Sequence, residues 1–309
     1  MIAWQQCDTR NGGKLYCVTY LTPPLGDGGK NYIMIPVAFD YQKATTVDEA
    51  IASLSAGGKL LAGGHSLLPA MKLRLNQPEK LINITGIAEL KGIKEEDGEI
   101  VIGAATTHAE VMHDNLIKQK IPFFAEAASL IGDLQVRNCG TIGGSLAHAD
   151  PAADWTALVL AADATIEVQG SNGKRRIKAT EFFTDLFTTA LQQDEIITAI
   201  RIPDPPEGTK TAYKKFPQPA SRFALVGCAV FRLPDGKTNI AFTGVSSVPF
   251  RDTAAENVVS GKTLDDATIN AAASASVEGA DILSDHYASK EYRKHLAKVY
   301  LKRALKTIA

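Results

Sequence analysis

Cysteine is scarce in this chain, with four residues in 309, at Cys7, Cys17, Cys139 and Cys228. They form no C-x-x-C pair and show no metal-ligand spacing. An iron–sulfur cluster within the chain is thereby excluded, since a cluster needs several closely placed thiolates. A reduced, cytoplasmic chain is the simplest reading, and the sequon Asn83-Ile84-Thr85 carries no meaning there. Charge of one sign is also lacking: the formal net charge is -1. Nothing drives such a chain toward nucleic acid or an anionic membrane surface. No apolar run approaches the roughly 20 residues of a spanning helix. The N-terminal stretch lacks the basic start and apolar segment of a secretory signal. Two nucleotide fingerprints fail as well. No G-x-G-x-x-G opens a helix after a strand. Gly261-Lys262-Thr263 resembles the end of a P-loop, but Glu256 stands where its first glycine belongs.

What remains is an ordinary globular composition, 45% hydrophobic and 22% charged, in a chain long enough for two cores. Residues 1–33 carry Gly12-Gly13, Pro23-Pro24 and Gly28-Gly29 without pattern, and are read as a loosely ordered, unassigned extension. Strands are expected at 35–41, 59–62, 81–84, 100–104, 165–168, 196–202, 224–233 and 238–245. Helices are expected from Val47, behind the capping box Thr46–Glu49, then at 108–118 behind Thr107 and Glu110, at 123–131, and at 151–162 with Pro151 in the first turn. The tail from Leu264 reads as helical and ends in a basic helix, 292–308, with a solvated face. The proline cluster Pro203-Asp204-Pro205-Pro206 divides the chain into domains 34–207 and 208–309. The fold class is α+β.

Two glycine-bearing turns follow apolar segments. One is Ala62-Gly63-Gly64-His65-Ser66-Leu67-Leu68-Pro69. The other is Thr141-Ile142-Gly143-Gly144-Ser145, with Asp154 nine residues further on. Paired glycines let the backbone approach a ligand closely, and consecutive N–H groups form a nest for anionic oxygens. Alone, each pair is most simply a tight turn. Together, with the hydroxyls of Ser66, Thr141 and Ser145, they point to two nests holding one pyrophosphate. His65 reads as a loop hydrogen-bonder. His148 beside Asp150 lacks the further ligands of a metal site.

These turns, the first running into Met71-Lys72-Leu73-Arg74-Leu75, resemble the FAD-binding medium subunit of the xanthine oxidase family. The flavoprotein chain of aerobic carbon monoxide dehydrogenases and related bacterial hydroxylases is the nearest type. Met34-Ile35-Pro36 and Phe39-Asp40-Tyr41 add to the likeness, which covers residues 34–309. The resemblance implies a two-part FAD-binding domain of the PCMH type, then a smaller sheet-plus-helices domain. It implies non-covalent FAD wrapped by residues 62–69 and contacted by 141–145. Asp154 would accept hydrogen bonds from the nucleotide, and Ile131 would make an apolar contact. Ile197 would lie in a strand bordering the flavin, with Lys215 near the cofactor and Tyr213 beside the isoalloxazine ring. No catalytic or metal-binding residue of the chain's own is implied. The molybdenum cofactor and 2Fe-2S clusters would reside on a large molybdopterin-binding and a small iron–sulfur subunit, in a dimer of heterotrimers. Two other readings stay open, a free-standing flavin oxidoreductase with its own organic substrate and a module binding some other phosphate ligand.

Overall fold

The computed structural model describes residues 2–8, 14–20 and 34–309. Ile2–Asp8 and Lys14–Tyr20 pair antiparallel within a separate unit, Met1–Ile35. No strand was expected there. The rest of the expected extension lies outside the described residues.

Pro36–Ala309 forms one compact unit. It begins with a three-stranded parallel sheet in the order Asp40–Lys43, Lys80–Asn83, Lys59–Leu61. Parallel strands need a crossover, and the helix Val47–Ser55 carries the chain from Asp40–Lys43 to Lys59–Leu61 on the far side of Lys80–Asn83. Thr46 caps that helix by accepting from the Glu49 amide, while the Glu49 carboxylate turns to Thr45 rather than back to Thr46. The strand expected at 35–41 is displaced, because only Asp40–Lys43 has a partner in Lys80–Asn83.

The second sheet is antiparallel and five-stranded, ordered Ile93–Glu96, Glu99–Gly103, Ile196–Pro203, Thr165–Gly170, Gly173–Lys178. Between its second strand in the chain and the next, residues 104–164 make a helical excursion that covers one face. Ile100, Ile102, Ile166, Val168 and Ile200 meet Phe123, Phe124, Trp155 and Leu158 in the largest core. The helix expected over 108–118 is two helices, His108–His113 and Asn115–Lys120. Asp114 takes extended backbone, closes the first and caps the second by accepting from the Ile117 amide at 3.0 Å. Thr107 and Glu110 make the expected capping box.

The last part is an antiparallel sheet, Lys210–Pro217, Ala224–Arg232, Thr238–Thr243, Phe250–Arg251, backed by Thr253–Val259, Asp266–Ala275 and Lys290–Ile308. Ala224–Arg232 is buried along nearly its whole length. Its unbroken apolar run follows from cover on both faces. The terminal helices lie on one side and the helix Asp154–Ala161, every residue of it buried, on the other. That helix starts three residues later than expected. Pro151 precedes it, its carbonyl accepting from the Gly244 amide and the Thr243 hydroxyl, each at 2.6 Å.

Candidate functional site

The first turn leaves the strand Lys59–Leu61 at its C-terminal end and enters the helix Leu67–Lys72. Gly64 has φ +74°, a left-handed conformation that strains any residue with a Cβ. The amides of Gly63, Gly64, His65, Ser66 and Leu67 donate to no acceptor among the described residues; the next one, Leu68, bonds the Gly64 carbonyl at 2.9 Å. Ser66 does not cap the helix with its side chain. Five successive amides without an acceptor thus surround a left-handed glycine, a backbone arrangement able to receive an anionic oxygen. Leu67, Leu68 and Pro69 follow as the first turn of the helix, with Leu68 against Gly64.

The second turn meets the first. A Cβ on Gly63 would fall 2.2 Å from the Cys139 carbonyl oxygen and 2.7 Å from the Cα of Gly140, and one on Gly144 would lie 3.7 Å from the Ala62 Cβ. Only glycine at 63 allows this approach. The second turn is not itself a nest of free amides, and that expectation is corrected. Thr141 caps a seven-residue helix, Ile142–His148. The amide of Ile142 bonds Thr106 at 3.1 Å, Gly143 bonds Ala104 at 2.9 Å, and Ser145 bonds Thr141 at 3.0 Å. The Gly144 amide goes to the Thr141 hydroxyl at 3.1 Å. Gly143 is there for packing, since a Cβ would stand 2.5 Å from that of Ala104. The cradle therefore has one donor-rich side, residues 63–67, and one wall, residues 140–145, to which the Ser145 hydroxyl still offers a hydrogen bond.

Beside this wall, three cationic side chains converge on one stretch of backbone. Lys215 donates to the Leu130 carbonyl at 3.0 Å. Arg137 donates to those of Ile131 at 2.9 Å and Gly132 at 3.0 Å. Arg222 reaches Gly132 at 3.4 Å. These carbonyls end the helix Pro122–Leu130, where the helix dipole favours positive charge. Ile131 is thereby fixed in place, half-buried, between the exposed Leu130 and Leu134. Phe223, also exposed, follows Arg222. Exposed apolar side chains thus flank the backbone that the three cations hold.

Asp154, Tyr213 and Lys215 come together, though not as expected. Asp154 is buried, accepts from the Tyr213 hydroxyl and lies 2.9 Å from the Lys215 ammonium. Burial pushes its carboxyl up, against the pull of Lys215 and the hydrogen bond from Tyr213. Burial likewise pushes the Tyr213 phenol well up. Tyr213 is fully enclosed and the Lys215 side chain nearly so. With its oxygens taken up inside the protein, Asp154 does not present a free acceptor to a nucleotide, and Tyr213 does not present a ring face. The three instead join the helix Asp154–Ala161 to the strand Lys210–Pro217. Ile197, on the strand Ile196–Pro203, is 5% exposed and packed in the large core, so its surface is already covered.

His108 was not singled out in the sequence. Its Nδ1 accepts from the Trp155 indole at 3.1 Å. Burial, with help from His65 and Arg137, pulls its imidazole down to about 4. Only the capping box at Thr107 pointed to this position, and that motif speaks of helix start rather than of a ligand.

Comparison with known proteins supplies the last observations. Residues 37–205 match the FAD binding domain in molybdopterin dehydrogenase, and residues 211–308 match the CO dehydrogenase flavoprotein C-terminal domain. The chain is 40% identical to the carbon monoxide dehydrogenase medium chain of Hydrogenophaga pseudoflava, over 88% of this chain and 97% of that one. It is 36% identical to the glyceraldehyde dehydrogenase medium chain of Sulfolobus acidocaldarius, over 89% and 100%. The solved carbon monoxide dehydrogenase of Hydrogenophaga pseudoflava superposes with a TM-score of 0.85 at 41% identity, covering 88% of this chain and 97% of that chain. Quinoline 2-oxidoreductase from Pseudomonas putida gives 0.83 at 29% identity, over 89% and 98%.

Proposed function

Since this chain belongs to the FAD-binding medium subunits of the carbon monoxide dehydrogenase and xanthine dehydrogenase family, an oxidoreductase family, we propose that it holds FAD without a covalent link between its two glycine turns and relays electrons from iron–sulfur clusters to an external acceptor. The small subunit would carry those clusters, and the large subunit the molybdenum cofactor at which substrate is oxidised. The complex would be a dimer of such heterotrimers in the cytoplasm. Bound FAD supplies the redox chemistry, accepting electrons and passing them on.

The observation that carries this reading is the row of unpaired amides from Gly63 to Leu67 around Gly64. Those donors match a diphosphate without any lysine or arginine. The wall 140–145 closes the cradle from the other side, with Gly63 permitting contact. Ile131, Leu130 and Phe223 offer an apolar surface for a planar ring, and Lys215, Arg137 and Arg222 hold its backbone. Asp154 and Tyr213 serve at one remove, by positioning Lys215. Among the described residues no three His, Cys, Asp or Glu side chains gather as a metal-ligand set, and this reading assigns the metals to the partners. No described helix is long and apolar enough to cross a membrane.

The purified chain should be yellow and should release FAD on acid or heat. Its flavin should be reduced only when large and small subunits and substrate are present. Reduction by an organic substrate with the chain alone would mark a free-standing oxidoreductase instead. A colourless chain that takes up no FAD would refute the assignment. Gly63→Ala and Gly64→Val should each lower FAD occupancy by tenfold or more, on the order of 1.4 kcal/mol.

A further inference from the structure

We propose that His108 is a positioning residue for the bound dinucleotide, donating a hydrogen bond through Nε2 where the two glycine turns meet. The inference rests on the FAD reading above. Three features of the structure carry it. The imidazole is 5% exposed, yet its Nε2 has no acceptor among the described residues, whereas Nδ1 is engaged by the Trp155 indole N–H at 3.1 Å. Because that indole can only donate, Nδ1 is the bare nitrogen and the ring proton sits on Nε2. Burial beside His65 and Arg137 pulls the imidazole down to about 4, so the ring is neutral and holds this tautomer near pH 7.

The second feature is placement. A Cβ on Gly140 would fall 2.7 Å from Nε2, and a Cβ on Gly63 would fall 2.7 Å from the Cα of Gly140. The bare donor thus lies against the glycine that joins the two turns. The His108 amide bonds the Gly140 carbonyl at 2.9 Å, which ties the helix start to the same point. The third feature is access. Nε2 is not among the sealed, unsatisfied polar atoms of the described residues although the ring around it is buried, so this one donor opens outward, where a ligand oxygen or nitrogen in the cradle can replace water as its partner. Trp155 sets the tautomer and the ring plane, much as an outer-shell partner orients a metal-binding histidine. Neutrality lets His108 add a directed hydrogen bond without adding charge to the diphosphate side of the site.

The test uses the full chain stripped of flavin and titrated with FAD, read by dissociation constant and by the rise in melting temperature that FAD brings. His108→Leu should weaken FAD about tenfold, the effect of one lost neutral hydrogen bond, and should shrink the melting rise. His108→Gln, whose amide can donate near the Nε2 position, should stay within about threefold of the parent. His108→Met replaces the leucine variant where that one does not fold. An unchanged dissociation constant in the apolar variant overturns the inference, as does equal weakening by Gln and Leu, which would mark a packing role. Gly63→Ala separates the two readings. If it loses FAD while His108→Leu does not, the cradle stands and only the role of His108 falls. If the parent chain binds no FAD, both fall.

Discussion

A histidine free in solution takes up a proton near pH 6.5. His108, buried against Trp155 and close to His65 and Arg137, does so at about 4. The sign of the consequence follows from which state holds the proton. Between pH 6.5 and about 4 the unfolded chain protonates this residue and the folded one does not. Stability from this group is therefore complete above 6.5 and is lost as the pH falls toward 4, on the order of 3 kcal/mol in all. Denaturant midpoints at pH 7 and pH 4.5 should show a steeper loss for the parent than for His108→Gln, the difference approaching that amount. Equal slopes would mean that His108 is protonated in the fold. Gly64 makes the contrasting case at this scale. Its φ of +74° strains any other residue, so Gly64→Ala should cost stability as well as FAD. Gly64→Asn, which tolerates left-handed backbone better, should cost less of the first. Melting temperatures of the two flavin-stripped variants decide this.

Helix ends carry much of the site. The helix Pro122–Leu130 finishes with its carbonyls under Lys215, Arg137 and Arg222, and Lys215 is itself held by the buried Asp154. Lys215→Met should destabilise the chain by roughly 3–5 kcal/mol, because it leaves a carboxylate buried without its partner. Lys215→Met combined with Asp154→Asn should recover a large share of that, since an uncharged pair has no such penalty. Urea unfolding of the single and double variants distinguishes them, and no recovery would mean that the pair contributes mainly by packing. How far this was legible from the sequence depends on the kind of signal. The Thr107–Glu110 cap and the strand Ala224–Arg232 announce themselves through local pattern. The first glycine turn does too, because a glycine pair between a strand and a helix reports on its own backbone. The second turn misleads, since Gly143 and Gly144 serve close packing and a helix start, and a sequence does not say which neighbour a glycine makes room for. His108, Arg137 and Arg222 are silent for the same reason. Their partners lie far along the chain, and their meaning exists only once the helices have packed.

Across the whole molecule, the boundary in the chain and the boundary in the packing do not coincide. The proline cluster at 203–206 separates the two matched families, 37–205 and 211–308, yet Pro36–Ala309 is one compact unit. The helix Asp154–Ala161 belongs to the first part by sequence and lies against Ala224–Arg232 and Thr238–Thr243 of the second. Tyr213, Ala229, Phe231 and Ala241 complete the core built by Phe123, Phe124 and Trp155. Arg251 of the second part bonds Asp163 of the first at 2.6 Å, and Asn239 bonds the Ala161 carbonyl at 2.8 Å. A fragment ending at residue 207 would bare this apolar face and strip Asp154 of both Tyr213 and Lys215. We therefore propose domains at 34–207 and 208–309 that are units of descent but not of folding. The fragment 34–207 alone should precipitate or bind apolar dyes, with little FAD, whereas co-expression with 208–309 should restore both solubility and flavin. A soluble, flavin-loaded fragment 34–207 would show that the shared core is dispensable, and that Ile131 is held well enough by Arg137 without the lysine from the second part.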